Sequence, residues 1–277
     1  MIGDPRDKDQ SVTTDEPKTC HPKFKPMDAV NQARVLREED REIRRLLGYS
    51  ESYRGNVYNP KNQQHVIPDN ENVSLFLTKL PRVYDEKKLV RALMPHGPFD
   101  RIYATSVTPP GEGHNGSSAK IVLFTRSGAE SLHKFISSGK LVVDNRRVHC
   151  VWNKIKHAAP GGPNYLSRVV HVSAAPEILD LQKLIKLLDE NIVYQLEGTD
   201  NTLVTGSRGM NRIEVRFCSF RAQAEVLPLL LSSEVPQAKV RFGVDPLSVN
   251  TKAEELSVDV KMDDKWARLG QFRRGYI

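Results

Sequence analysis

The sequence predicts an α+β protein that consists of two tandem βαββαβ sandwiches between disordered termini. Residues 73–156 show strand-like and helix-like patterns in the order strand, helix, strand, strand, helix, strand. The same order repeats over residues 167–247. In each repeat two strand–helix–strand crossovers interleave, which produces a four-stranded antiparallel sheet with both helices on one face. Residues 1–27 are polar and charged, and residues 248–277 have little periodicity, so we expect a disordered start and a flexible tail.

The six elements of the first repeat follow from their residue patterns. Short runs of alternating apolar residues predict strands, and Leu89 and Leu93 lie one turn apart in an amphipathic helix. A run rich in Pro, Gly and Ser, PPGEGHNGSS, predicts a loop between the second and third strands. The elements are, in order, SLFLTKLP, DEKKLVRALM, DRIYATSV, AKIVLF, SGAESLHKFISS and RRVHCVWN.

The second repeat follows a short linker at residues 157–166, HAAPGGPNYL. Its predicted elements are, in order, SRVVHVSAAP, DLQKLIKLLDEN, IVYQLEG, NRIEVRF, FRAQAEVLPLLLSS and AKVRFGVD. The linker leaves open whether the two domains share one ligand or act separately.

Two segments lie between the disordered start and the first repeat. Residues 28–48 have Asp28 as a candidate N-cap and a narrow apolar stripe, which predicts an amphipathic helix that rests on a domain or on a partner. Residues 49–72 are polar with scattered aromatics, which predicts a linker.

Composition excludes several classes of protein. The 277 residues contain no apolar run of membrane-spanning length, and the first ten residues are charged where a signal peptide would be apolar. The three cysteines are widely spaced, which indicates reduced thiols and no metal-ligand pattern. We therefore expect an intracellular protein without a membrane, metal or cofactor, in either the nucleus or the cytoplasm.

The net charge of +7 is concentrated in the first repeat. Residues 73–156 contain fourteen Lys or Arg and six Asp or Glu, a net charge of +8. Residues 1–72 have a net charge of −1, and residues 157–277 contain fifteen of each sign. This uneven distribution favours a polyanionic partner for the first repeat.

The first strand of the first repeat carries an aromatic residue on the side away from the predicted core. Leu75 and Leu77 point to one face of the sheet, so Phe76 and Thr78 point to the other. The run from Leu75 to Leu80 resembles the first-strand motif of RNA-recognition motifs (RRMs), aliphatic–aromatic–aliphatic–x–Asn–Leu, with Lys in place of Asn. This resemblance implies a ferredoxin-like sandwich whose bare sheet face stacks unpaired bases of single-stranded RNA.

The third strand departs from the family pattern, which has two aromatic residues there. We place Ala119, Ile121 and Leu123 toward the helices, because this phase keeps Lys120 out of the core. Ser118 and Lys120 then occupy the aromatic positions. One stacking residue with cationic neighbours predicts modest, salt-sensitive affinity for RNA.

The candidate RNA-binding residues of the first repeat combine this face with nearby cations. Tyr103 is equally compatible with the edge of a core, and Trp152 is predicted to be packed because it shares the parity of Cys150. The candidates are Phe76, Thr78, Lys79, Tyr103, Ser118, Lys120, His149, Lys154 and Lys156.

The second repeat is a degenerate copy. Its first strand places His171 at the aromatic position, and its third strand leaves Arg212 and Glu214 on the sheet face. His171 and Arg212 are weak RNA-binding candidates, while Glu214 would repel phosphate. This repeat is expected to be auxiliary or to bind a protein. The layout over residues 30–248 also resembles a poorly characterised fungal group of tandem-RRM proteins.

The same sandwich also occurs in enzymes, so catalysis needs its own test. His171 and Ser173 match one half of the paired H-x-S/T motif of two-histidine phosphoesterases, but no second copy occurs. The glycine-containing loops lack the Lys-Ser/Thr of a phosphate-binding loop. We therefore predict no enzyme and no small-molecule substrate. The alternative is a protein–protein adaptor that has lost RNA binding, with a partner on the second repeat or on the helix at 28–48. Single-stranded DNA is a third alternative, as a ligand that could stack on the same residues.

Overall fold

The computed structural model describes residues 38–46, 67–111, 113–204 and 210–249, and it contains two four-stranded antiparallel sheets. Helix α1 is Glu38–Leu46. The predictions for residues 1–27, for the rest of the N-terminal helix and linker, and for the tail beyond residue 249 lie outside the described residues.

The first sheet has the strand order β2-β3-β1-β6. A two-residue turn at Asp144 and Asn145, both with positive φ, joins the small hairpin β4–β5, as such turns require. The elements of this domain are β1 (Ser74–Leu80), α2 (Glu86–Leu93), β2 (Ile102–Thr108), β3 (Ser117–Leu123), α3 (Arg126–Ser137), β4 (Val142–Val143), β5 (Arg146–Arg147) and β6 (His149–Trp152).

The second domain has the elements β7 (Val169–Ala174), α4 (Leu181–Asn191), β8 (Leu196–Val204), β9 (Met210–Phe217), α5 (Leu227–Glu234) and β10 (Lys239–Phe242). Its sheet has the corresponding order β10-β7-β9-β8. The α+β class with two tandem βαββαβ sandwiches is therefore confirmed.

Three helices begin at a residue whose side chain caps the first turn. The side chain of Asp85 accepts a hydrogen bond from the backbone N–H of Lys88 and caps α2. Thr125 caps α3 and Asp180 caps α4 in the same way. Each cap satisfies a backbone donor that the helix itself leaves free.

Two predicted element boundaries in the second domain are wrong. The predicted helix from Phe220 begins only at Leu227, because Arg221 is extended (ψ 131°) and Ala222 has a left-handed φ of 62°. The predicted strand at residues 192–198 begins at Leu196 and runs further.

The two cores confirm the predicted strand phases. In β3, Ala119, Ile121 and Leu123 are at most 1% exposed and pack in the first core. In β9, Ile213 and Val215 are buried in the second core.

Residues far apart in sequence join the two domains. Cys218 and Leu247, which belong to the second repeat by sequence, lie in the first core. Phe124, which follows β3 of the first domain, lies in the second core. The domains therefore share buried apolar surface.

A buried arginine lies at this junction. Arg168 is fully buried and forms ion pairs with Glu197 (2.7 Å) and Asp245 (3.1 Å). Asp245 also accepts a hydrogen bond from the backbone N–H of Ile102 in the first domain (3.2 Å). Arg91 of α2 donates to the backbone oxygen of Glu197 (2.9 Å). This network holds the second domain against the first.

Candidate nucleic-acid interface

One row of side chains crosses the helix-free face of the first sheet. In an antiparallel sheet directly opposite residues point to the same side. Phe76 lies opposite Lys120 of β3 and opposite Val151 of β6, and Lys120 lies opposite Ser106 of β2. The row therefore runs Ser106, Lys120, Phe76, Val151, with the aromatic ring near its centre.

This row is accessible. Phe76 and Lys120 are partly exposed, Ser106 is exposed, and Val151 is 41% exposed. Two residues after Phe76 on β1, the partly exposed Thr78 lies opposite the exposed His149. An aromatic ring with an aliphatic neighbour on an open sheet is a surface on which a base can stack.

The bulge in β1 accounts for Lys79. Its φ of 64° coincides with the register shift between Leu77 and Leu80, and its side chain is exposed. On β3, the partly exposed Ser118 lies opposite Thr108. Both candidates therefore border the row without belonging to it.

The two lysines after β6 differ. Lys154 is exposed. Lys156 forms an ion pair with Asp69 (2.7 Å) and donates to the backbone oxygen of Ile67 (2.9 Å). Lys156 thus holds the chain before β1, and a phosphate would have to compete with Asp69.

Tyr103 packs between the two domains. Its ring lies 5.4 Å from that of Phe124, 6.0 Å from Phe220 and 5.3 Å from His157. Burial raises the pKa of its hydroxyl. The core-edge interpretation of Tyr103 therefore matches its surroundings better than a free stacking position.

The chain after β6 covers one end of the open face. The Asn153 amide donates to Ser74 Oγ (3.1 Å), and the Asn72 amide donates to the backbone oxygen of Asn153 (3.0 Å). The backbone N–H of His157 donates to Asn72 Oδ1 (3.1 Å). Because Ser74 and the opposite Val122 are thereby buried, the accessible face begins at Phe76.

Burial changes the pKa values of Lys120 and His157. Burial, with a smaller contribution from the guanidinium of Arg221, lowers the pKa of Lys120 to about 8. Burial also lowers the pKa of His157 to about 4, so its imidazole is neutral near pH 7 and its Nδ1–H donates to the Ala158 oxygen (2.6 Å). The row thus has a lysine that is charged at pH 7 beside a second cation.

The second sheet is occupied by its own polar groups. His171 lies opposite Glu214 and donates from Nε2 to its carboxylate (2.8 Å), while Nδ1 accepts from Arg212 (3.0 Å). Arg216 donates to the other oxygen of Glu214. A Cβ on Gly243 would lie 2.8 Å from the imidazole, so the backbone also lies close against the ring. The side chains of His171 and Glu214 are therefore both held by hydrogen bonds within the second sheet.

Sequence reasoning missed three residues at the first face. Ser106 and Val151 complete the row, and for Val151 the alternation with the buried Cys150 on β6 was a usable signal once strand pairing is assumed. Arg221 lies in a different domain, and no local pattern indicates its position.

The described parts of the chain include no group of three or more His, Cys, Asp or Glu side chains that could hold a metal ion. No helix among them is long and apolar enough to cross a membrane.

Comparisons with known proteins return solved structures alone. No family model matches the chain. No curated protein matches it significantly. Similar solved structures are tandem RRM proteins: Sex-lethal RNA recognition domains 1 and 2 from Drosophila melanogaster (13% identity, 62% of this chain, 100% of that chain, TM-score 0.25), the first two RRM domains of yeast poly(U) binding protein Pub1 (12%, 62%, 99%, 0.25), and RRM domains 1 and 2 of Prp24 from S. cerevisiae (17%, 64%, 98%, 0.24). At these TM-scores the function has to be argued from the sheet itself.

Proposed function

We propose that this chain is a tandem-RRM protein that binds single-stranded RNA on the open face of its first sheet, with modest and salt-sensitive affinity. Phe76 stacks on a base, Val151 extends the apolar platform, and Lys120 neutralises phosphate charge. The second domain is auxiliary, since His171 at its first-strand aromatic position is bonded to Glu214 and Arg212.

The single observation that carries this proposal is the position of Phe76. A partly exposed aromatic residue lies in the middle of an open sheet face, directly opposite a lysine that is charged at pH 7. Among the described residues the ring of Phe76 has no aromatic partner, whereas the ring of Tyr103 has three. The basic surplus of residues 73–156 supports a polyanionic partner for the same domain.

The remaining candidates form the surroundings of this row. Thr78, His149 and Ser118 offer polar groups beside the ring, while Lys79 and Lys154 extend the cationic surface from its edges. Stacking of one base contributes about 1–3 kcal/mol, and each phosphate contact adds a salt-dependent term. One ring with few contacts therefore supports modest affinity that falls as the salt concentration rises.

The test is a fluorescence-anisotropy titration of a labelled degenerate single-stranded RNA with the full chain at two salt concentrations. The full chain is needed because Leu247 and Cys218 contribute to the first core. We expect Phe76→Ala to weaken binding at least about fivefold, in line with a lost stacking contact. Phe76→Tyr, which keeps the ring, should retain most of the affinity.

Val142→Ala is the matched control, because it removes an apolar side chain that is 51% exposed on the β4–β5 hairpin of the same domain. Equal affinities for Phe76→Ala and Val142→Ala would refute the stacking model. If the wild-type chain binds at neither salt concentration, RNA binding is wrong, and the adaptor function with a protein partner takes its place. A parallel titration with DNA of the same sequence tests the preference for RNA.

A further inference from the structure

The segment between β9 and α5 is anchored on the first domain. Ser219 Oγ accepts a hydrogen bond from the backbone N–H of Thr105 (2.8 Å) and lies 2.9 Å from the Thr105 hydroxyl. Phe220 packs with its ring 5.3 Å from Phe124. Because β2 is an edge strand, these contacts place the following residue, Arg221, at the border of the first sheet.

The backbone at this point keeps the segment out of the helix. Arg221 is extended, and Ala222 adopts a left-handed φ of 62°, so the chain turns away before α5 begins at Leu227. The charge of Arg221 is a secondary influence on three groups of the first domain. After burial, it contributes to the lowered pKa of Lys120 and of His157, and it opposes the rise that burial causes in the pKa of Tyr103. An arginine of the second domain therefore lies close to the open face of the first.

Among the described residues neither Lys120 nor Arg221 forms an ion pair. The nearby Glu225 instead accepts from the backbone N–H of Ala222 (3.4 Å). Close like charges disfavour each other, and an anion between them would offset that cost.

At the equivalent position the second sheet has a carboxylate where the first sheet has a lysine. There the residue opposite the first-strand aromatic position is Glu214, and it pairs with both His171 and Arg216. In the first sheet the residue opposite Phe76 is Lys120, and its cationic neighbour comes from the other domain. The second sheet thus supplies a carboxylate at this position, whereas in the described part of the chain no carboxylate pairs with Lys120.

We infer that Lys120 and Arg221 together form a phosphate-binding site for the backbone of the single strand that stacks on Phe76. The site is built across the domain junction and rests on the proposed function above. It takes a phosphodiester group as its ligand. Arg221 adds a planar donor pair that suits two phosphate oxygens, and Lys120 adds a point charge.

The test uses the same full-chain anisotropy titration with degenerate single-stranded RNA, measured over a series of salt concentrations. We expect Arg221→Gln to weaken binding about fivefold at low salt, as a lost charge-assisted contact should. The slope of log K against log salt should fall by about 0.7, the value for one phosphate on a single strand. Arg221→Lys should recover part of both effects.

Lys186→Gln is the matched control, because it removes one positive charge from the exposed side of α4 in the same domain. The inference would be overturned if Arg221→Gln and Lys186→Gln bound RNA with equal affinity while Phe76→Ala still weakened binding. RNA binding on the first sheet would then stand without the phosphate site. A loss of affinity with an unchanged salt slope would mean that Arg221 acts only on the fold, and it also overturns the inference. Absence of binding by the wild-type chain overturns both.

Discussion

Leu247 gives a direct test of whether the two domains stabilise each other. It follows the last strand of the second domain, yet it is 1% exposed in the core of the first. Its backbone oxygen accepts from the N–H of Phe99 (3.0 Å), and its own N–H donates to Asp245 (3.0 Å). A Cβ on Gly97 would lie 2.9 Å from its side chain, so the contact with the first domain is close.

Leu247→Ala should therefore destabilise the first domain from a position outside it. The lost carbons correspond to about 2.4 kcal/mol of transfer free energy at roughly 0.8 kcal/mol for each. The residual cavity adds to this, which gives an expected loss of about 2.5–4 kcal/mol in the free energy of unfolding. Urea unfolding followed by far-UV circular dichroism measures the total. Hydrogen exchange read by mass spectrometry assigns the loss to β1 and β3.

Val249→Ala is the control for Leu247→Ala. Val249 lies two residues further along the same segment and is 62% exposed, so its truncation should change the unfolding free energy by less than about 0.5 kcal/mol. Two results would refute the reasoning: equal stabilities for the two variants, or faster exchange confined to the second domain.

Two further predictions concern charged groups. Because the pKa of Lys120 is lowered to about 8, its amine is charged at pH 7 and mostly neutral at pH 9, so RNA affinity should fall across this range. Lys120→Arg should bind equally at both pH values in the same anisotropy assay, and an equal decline in that variant would assign the effect to another group. Arg168→Met leaves the buried Asp245 without its cation and Glu197 with only the more distant Arg216 (3.8 Å), and it should cost about 3–5 kcal/mol in urea unfolding. Adding Asp245→Asn to Arg168→Met should cost less than the sum of the single changes, whereas strict additivity would contradict a coupled network.

The open face of the first sheet was predictable from local pattern. Alternation in β1 and the choice of phase in β3 were enough to place Phe76 and Lys120 on the same side, since a strand has only two faces and a lysine avoids the core. Periodicity also placed the helices, because apolar residues such as Leu89 recur at helical spacing. These features depend on residues that are neighbours in sequence.

The junction was not predictable in the same way. The FRAQAEV segment contains good helix formers, but Phe220 is buried among aromatic rings of both domains and Ser219 bonds to Thr105, and these contacts override the local propensity. The cover over one end of the first face depends likewise on His157 returning to Asn72. Such contacts join residues separated by tens to more than a hundred positions, and a single sequence carries no signal for them.

The contrast between the two sheets explains why the second domain matters even if only the first binds RNA. Glu214 accepts hydrogen bonds from His171 and Arg216 on its own sheet, where Arg241 lies opposite His171. Among the described residues Lys120 forms no ion pair, and the junction brings Arg221 toward it from the second domain. The junction that buries Arg168 and Leu247 also fixes the place of Arg221. Changes that loosen the junction should therefore weaken RNA binding without altering any residue of the first sheet, which a chain of two independent domains would not show.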